Sequence, residues 1–255
     1  MIKNKRALNK SLVIIPTYNE KENVEDIIHA VFDLNANFEV LIIDDGSPDG
    51  TAAIVKNLQP SHGGLHLIER EGKLGLGTAY IRGFQFALEN NYDYIFEMDA
   101  DFSHNPADLI HLKQACTEGA DMSIGSRYIS GVNVVNWPMD RVLMSFFASK
   151  YVQYITGMPI HDTTAGFKCY TRKVLETIDL EKIKFVGYAF QIEMKFLTWK
   201  FGFKITEVPI IFTDRTKGQS KMSKGIFKEA VLGVIQMKIS SLFKKYIRDQ
   251  VPPIA

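Results

Sequence analysis

Short apolar runs alternate with amphipathic stretches through the first half of the chain. LVIIP (Leu12–Pro16) is followed by Val24, Ile27, Ile28 and Val31 at helical spacing. FEVLIID (Phe38–Asp44) predicts a second strand, and a helix is expected from near Pro48 through Ala53, Ile54 and Leu58. LHLIE (Leu65–Glu69) and YDYIFEMD (Tyr92–Asp99) read as the third and fourth strands, with a helix over Gly77–Leu88 between them. Asn105 as an N-cap and Pro106 at the first helical position open a further helix, which carries Leu109, Leu112 and Cys116 and stops at Gly119. ADMSIGS then predicts another strand. Strands alternating with helices imply an α/β fold: a Rossmann-like, mostly parallel sheet with helices on both faces. Beyond Arg127 the rhythm changes. Thr163–Tyr170 and Lys204–Phe212 read as strands, and Tyr188–Lys200 as a helix between them. With no repeat, low-complexity tract or long linker, residues 1–225 are expected to form one domain and residues 226–255 an amphipathic helical extension.

Composition narrows the classes. A chain of 255 residues suits one α/β domain, and 46% hydrophobic residues are enough for a sizeable core. The formal net charge of +1 gives no bulk field toward nucleic acid. The cysteines, Cys116 and Cys169, follow no metal-ligand spacing, which argues against a disulfide framework and for a reducing compartment. The first apolar run stops at Pro16, too soon for a signal-peptide core, and no segment has the apolar length to span a bilayer.

Polar residues recur where the strands end. The first strand runs into Pro16-Thr17-Tyr18-Asn19-Glu20, the second into Asp44-Asp45-Gly46-Ser47, the fourth into Asp99-Ala100-Asp101, and the next into Gly125-Ser126-Arg127. Ligands of open parallel sheets bind beyond the carboxyl ends of the strands. Each of these ends alone is an ordinary polar turn; their recurrence at one edge implies a crevice for a polar ligand. Asp99 and Asp101 repel each other unless a cation lies between them. Their oxygens suit Mg²⁺ or Mn²⁺ completed by a substrate phosphate, which points to a nucleoside diphosphate. The other reading of D-x-D is a capped turn beside a solvated carboxylate. TDRTKGQSKMSKG (Thr213–Gly225) supplies Arg215, Lys217, Lys221 and Lys224 with no acid from Arg215 to Lys228. Such a basic loop either folds over a pyrophosphate or is simply solvated.

Taken in order, IIPTYNE, DDGSPDGT, GLGTAY, MDADFSHNP, GSRY, TAGF, GYAFQIEM and DRTKGQSKM resemble the polyprenol-phosphate mannose synthases, a branch of the inverting family 2 glycosyltransferases. The resemblance spans about Leu12 to Gly225. It implies the GT-A fold, a nucleotide-sugar donor, GDP-mannose in the first place, a divalent metal, and a polyprenyl phosphate acceptor. Carried over by position, it implies that Pro16, Tyr18, Glu20 and Asp45, assisted by Ile43, hold base and ribose. Asp99, Ala100 and Asp101 would hold ribose, metal and diphosphate, with Ser103 as a further metal ligand. Arg127, Arg215 and Lys221 would contact donor or acceptor phosphates. Gln191 and Glu193 would close the sugar side, unless their helix serves only packing. His104 is read as structural to the FSHNP turn.

An acceptor that is already ionised needs no strong general base. In-line displacement would invert the anomeric centre. Many members of the resembled family carry transmembrane helices after the catalytic domain. Here the expectation is a protein on the cytoplasmic face of a membrane, bound peripherally or through a small membrane subunit. Two stretches are candidates for that contact: Trp137–Pro159, with Val142/Phe146 and Leu143/Phe147 as i, i+4 pairs, and the tail with Val231, Val234, Ile235 and Ile239. Both serve equally well as core helices. The alternatives are another donor such as UDP-glucose, a sugar-hydroxyl acceptor, a dinucleotide-binding protein through Gly75-Leu76-Gly77, and a non-catalytic binding subunit. The dinucleotide reading lacks the third glycine of the fingerprint.

Overall fold

The computed structural model describes residues 10–215, 217 and 224–248. The elements of the first half are β1 (Ser11–Thr17), α1 (Val24–Phe32), β2 (Phe38–Asp44), α2 (Thr51–Leu58), β3 (Leu65–Glu69), α3 (Leu76–Glu89), β4 (Tyr94–Glu97), α4 (Asp108–Thr117) and β5 (Met122–Ser126). They follow the predicted rhythm. The second half adds β6 (Val134–Val135), α5 (Met139–Thr156), β7 (Lys168–Thr171), α6 (Arg172–Thr177), α7 (Tyr188–Lys200), β8 (Ile205–Pro209), β9 (Phe212–Thr213) and α8 (Lys224–Leu242).

The main sheet has the order β3-β2-β1-β4-β7-β5-β8. Strand β7 runs antiparallel to both neighbours, and the other pairs are parallel. Side chains alternate across each strand. Leu12, Ile14, Leu41 and Ile43 enter one core with Ala79, Phe84 and Phe190, whereas Val13, Ile15, Val40 and Ile42 enter a second core with Ile27, Ile28 and Leu112. Both faces are therefore covered, which is why the strands read as unbroken apolar runs.

The structure moves several boundaries. The fourth strand stops at Glu97, so the aspartates stand beyond it. The helix expected at Pro106 begins at Asp108, because residues before it form a tight turn in which Phe102 takes φ 60° and Asn105 Oδ1 accepts the Ala107 N–H at 3.1 Å. The strand expected from Thr163 begins at Lys168, since the carbonyls of Thr163 and Ala165 accept from Lys195 Nζ at 3.0 and 2.6 Å. The strand expected over Lys204–Phe212 splits at Pro209. Its end, β9, pairs with β6 in a separate two-stranded sheet.

Gly75 and Gly77 serve packing. Gly75 has φ +101°, and a Cβ at Gly77 would lie 2.9 Å from the Phe185 carbonyl and the Phe190 ring. Helix α8 buries Val234 and Met237 in the same core as α3 and α7.

Candidate active site

The crevice lies over the carboxyl ends of β1, β2, β4 and β5. Pro16 pairs with Ile43, and Thr17 with Asp44, in the β1–β2 register. Asp44 shapes its own turn: it accepts Thr17 Oγ1 at 2.9 Å, Ser47 Oγ at 2.6 Å and the Ser47 N–H at 2.8 Å. Asp45 instead receives Arg70 Nε at 2.7 Å, and burial holds its carboxyl above the usual range despite that partner. Arg70 also donates to Thr78 Oγ1 at 2.8 Å, tying the 71–75 loop to the DDGS turn. Glu20 is buried, accepts Asn23 Nδ2 at 2.8 Å, and its backbone N–H meets Thr51 Oγ1 at 3.1 Å. Lys73 Nζ lies 5.3 Å from the Tyr18 ring centroid. The Ile43 side chain is wholly buried in the core against α3, so it lines no crevice wall.

Asp99 and Asp101 sit on the turn after β4. The Asp99 side chain is 42% exposed, whereas that of Asp101 is 6% exposed. Asp101 Oδ1 accepts the Ser103 N–H at 3.0 Å, and Oδ2 pairs with Arg215 Nη2 at 2.7 Å. Its burial would raise its pKa, but hydrogen bonding by Ser103 and then the Arg215 charge bring it below the usual carboxylate value. Desolvation and the neighbouring Asp101 push Asp99 up, to about 7. His104 stacks on Phe167 at 4.8 Å and accepts the Asp99 N–H through Nδ1 at 3.2 Å; burial lowers its pKa to about 4, so it is neutral. It is structural to the turn.

The donor set fits a hard divalent ion. Two carboxylates and the Ser103 hydroxyl, which is buried with no hydrogen-bond partner among the described residues, lie on one turn. Among the described residues no group of three His, Cys, Asp or Glu side chains assembles, so such an ion would need water and substrate phosphate to complete its shell.

A dry ionic network lies beneath. Glu97 and Lys168 are fully buried neighbours in the β4–β7 register, 3.0 Å apart. Glu97 also accepts Tyr170 Oη and Gln191 Nε2, each at 2.8 Å, and Lys168 Nζ donates to Gln191 Oε1. Gln191 is thus held at both ends of its amide. Glu193 does not share its surroundings: it accepts the backbone N–H groups of Lys184 and Phe185 at 3.0 and 3.1 Å and fixes that turn.

Arg127, Arg141 and Arg215, beyond β5, are each paired with an acid. Arg127 donates from its backbone, Nε and Nη2 to Asp162 at 3.0, 2.7 and 2.7 Å. Its guanidinium is enclosed by Tyr128, Trp137 and Phe212 at 5.2, 5.5 and 5.6 Å. Arg141, on α5, donates Nη1 to both Asp214 oxygens at 2.9 and 3.0 Å and lies 4.1 Å from the Trp137 centroid. Lys217 Nζ reaches Asp26 at 3.2 Å, while Lys221 lies outside the described residues. Sequence reasoning missed Arg70, Arg141 and Asp162. Arg70 follows a strand end directly and was open to the same argument as the other ends; the other two carry no local signal.

Arginines and a D-x-D turn gathered at the ends of an α/β sheet fit a glycosyltransferase of GT-A type, and the chain is an enzyme of that class. More narrowly, residues 12–179 match glycosyl transferase family 2, and the chain belongs to that family. Among curated proteins it is 44% identical to polyprenol monophosphomannose synthase of Mycolicibacterium smegmatis, over 92% of this chain and 89% of that one. It is 42% identical to undecaprenyl-phosphate mannosyltransferase of Micrococcus luteus, over 90% and 94%. Among solved structures, glucosyl-3-phosphoglycerate synthase of Mycobacterium tuberculosis with Mn²⁺ and UDP shares the fold at TM-score 0.65 and 17% identity, covering 95% of this chain and 82% of that one. A Pyrobaculum calidifontis mannosyltransferase in complex with GDP-Man and Mn²⁺ does so at TM-score 0.55 and 14% identity, covering 92% and 74%. The resemblance seen in the motifs thus holds over nearly the whole chain.

Proposed function

We propose that the protein transfers mannose from GDP-mannose to a polyprenyl phosphate with inversion, giving polyprenyl-phosphate β-mannose. One observation carries the chemistry. The carboxylates beside Arg127, Arg141 and Arg215 are already in ion pairs, with Asp162, Asp214 and Asp101 respectively. This side of the crevice suits an anionic nucleophile, not a hydroxyl that must be deprotonated. The relatives named for polyprenol and undecaprenyl phosphate support the acceptor, and the Pyrobaculum complex supports the donor.

In this reading Pro16, Tyr18, Glu20 and Asp45 hold base and ribose, and Asp99, Asp101 and Ser103 hold Mg²⁺ or Mn²⁺. The ion, when bound, offsets charge on the departing diphosphate. Arg127, Arg141, Arg215 and Lys221 orient the two phosphates. An acceptor oxygen forms the new bond to C1 as the bond from C1 to the diphosphate breaks, and no proton needs to move. Gln191, fixed by Glu97 and Lys168, supports the sugar side.

Helix α5 leaves Met139, Leu143, Met144 and Phe147 exposed, an apolar stripe that suits peripheral contact with the membrane holding the acceptor. No helix among the described residues is long and apolar enough to cross a membrane.

The test mixes purified protein, Mn²⁺ or Mg²⁺, a short polyprenyl phosphate and labelled GDP-mannose, with UDP-glucose in parallel. Label entering the organic phase from GDP-mannose, and lost in Asp101→Ala, is the expected result; it also removes the need for a membrane subunit. Label from UDP-glucose alone overturns the donor. Label from neither overturns transfer by this chain alone.

A further inference from the structure

We propose that Arg215 is the resident counter-cation of the Asp99–Asp101 turn, that it competes with the divalent ion for Asp101, and that it is handed to the donor diphosphate when ion and donor load together. This rests on the metal-and-diphosphate reading of the site. Both Asp101 oxygens are committed: Oδ1 to the Ser103 N–H at 3.0 Å and Oδ2 to Arg215 Nη2 at 2.7 Å. The Asp101 side chain is 6% exposed and that of Arg215 25%, so the pair is shielded from bulk water. A divalent ion on the same carboxylate would stand close to a guanidinium in a poorly screened setting, and like charges there repel strongly. Ion entry must therefore displace Arg215 or bind against it.

The local backbone confines where Arg215 can go. The Thr213 N–H donates to the Ser103 carbonyl at 3.4 Å, so β9 is stitched to the metal turn itself. The Asp214 N–H donates to the Val135 carbonyl at 3.0 Å, and the Asp214 carboxylate holds Arg141. Arg215 follows directly on this anchored segment. With its backbone so anchored it leaves Asp101 by side-chain rotation, and the anion that would receive it is the diphosphate that the ion accompanies. Without nucleotide, Arg215 offsets the repulsion between the aspartates. With nucleotide, its charge moves to the leaving group, where transfer needs it. A guanidinium that served the diphosphate alone would have no effect on ion binding in the absence of nucleotide; this one should weaken it.

The measurement is Mn²⁺ binding to the full chain by electron paramagnetic resonance of the free ion, first without nucleotide and then with GDP. Removing one poorly screened charge from beside the ion should tighten Mn²⁺ binding by Arg215→Gln roughly tenfold over wild type. Arg215→Lys keeps the charge and should bind Mn²⁺ as weakly as wild type, which separates the effect from a folding defect. GDP should then tighten Mn²⁺ binding more in wild type than in Arg215→Gln, because only wild type has a guanidinium to hand over. Mn²⁺ binding by Arg215→Gln that equals or falls below wild type without nucleotide overturns the competition. An equal GDP effect in both overturns the hand-over. Failure of the underlying reading has a different signature: GDP then leaves Mn²⁺ affinity unchanged in all three proteins, and no label enters the organic phase.

Discussion

Lys168→Met tests the ionic network under the crevice. Lys168 and Glu97 have no exposed surface and lie 3.0 Å apart. Methionine keeps much of the lysine's length but removes the ammonium, so Glu97 retains only the neutral donors Tyr170 and Gln191. Breaking a buried pair from one side costs about 3–5 kcal/mol, because a charge is left desolvated and unpaired. For a chain of this size each kcal/mol lowers Tm by about 2–4 °C, so the single variant should melt roughly 6–20 °C below wild type. Adding Glu97→Gln removes the orphaned charge and leaves an amide that can still accept from Tyr170. The double variant should recover most of the loss, since a buried pair replaced by neutral groups is often close to neutral in stability. Thermal unfolding followed by far-ultraviolet circular dichroism on wild type, both singles and the double completes the cycle. A double variant as unstable as Lys168→Met would refute the reasoning, as would a Lys168→Met that melts with wild type.

The other predictions address the arginine side, the aspartates and the surface. Asp162→Asn should raise the acceptor KM while leaving the GDP-mannose KM near wild type, and should cost about 3 kcal/mol in urea unfolding, because Arg127 loses its buried counter-charge; steady-state kinetics in both substrates separates the two effects. Asp99 has an ordinary pKa of 3.8 and is raised to about 7 in the fold. The folded protein therefore binds this proton more tightly, and the contribution is fully present below the lower value and lost as pH rises through the upper one. Without metal, Tm of wild type relative to Asp99→Asn should fall between about pH 4 and 7, and Mn²⁺ should oppose the fall; a rising difference would contradict the assignment. Phe147 is 62% exposed on α5, so Phe147→Glu should leave Tm unchanged and weaken sedimentation with phospholipid vesicles.

What was legible in the sequence follows from how each feature is encoded. Leu12-Val13-Ile14-Ile15 reads as a buried strand because alternate residues meet two cores, and that arrangement leaves a continuous apolar run. The aspartates were legible because polar residues begin as the strand gives out. Pairing was not legible. Asp162 lies 35 residues from Arg127, and no periodicity links them. Lys168 and Lys195 look like surface lysines in the sequence, yet both are fully buried. Their burial depends on β7 inserting between β4 and β5, and on the carbonyls of Thr163 and Ala165, before β7, and of Gln191, on α7, that accept from Lys195. Arg127 was expected to meet phosphate, but much of its donor capacity is taken by Asp162 and Thr164. The charge pattern becomes clear only in three dimensions. Asp45 has Arg70, Glu97 has Lys168, Asp101 has Arg215, Asp162 has Arg127 and Asp214 has Arg141. Asp99 makes no ion pair with an arginine or lysine among the described residues, has neutral His104 at 3.9 Å, and is the more exposed aspartate of the D-x-D turn. A crevice so nearly balanced gains little from a lone cation and little from a lone anion. In the proposed reading it is suited to a divalent ion and a diphosphate that arrive together, because their charges cancel each other while the ion meets Asp99 and Arg215 exchanges Asp101 for the diphosphate.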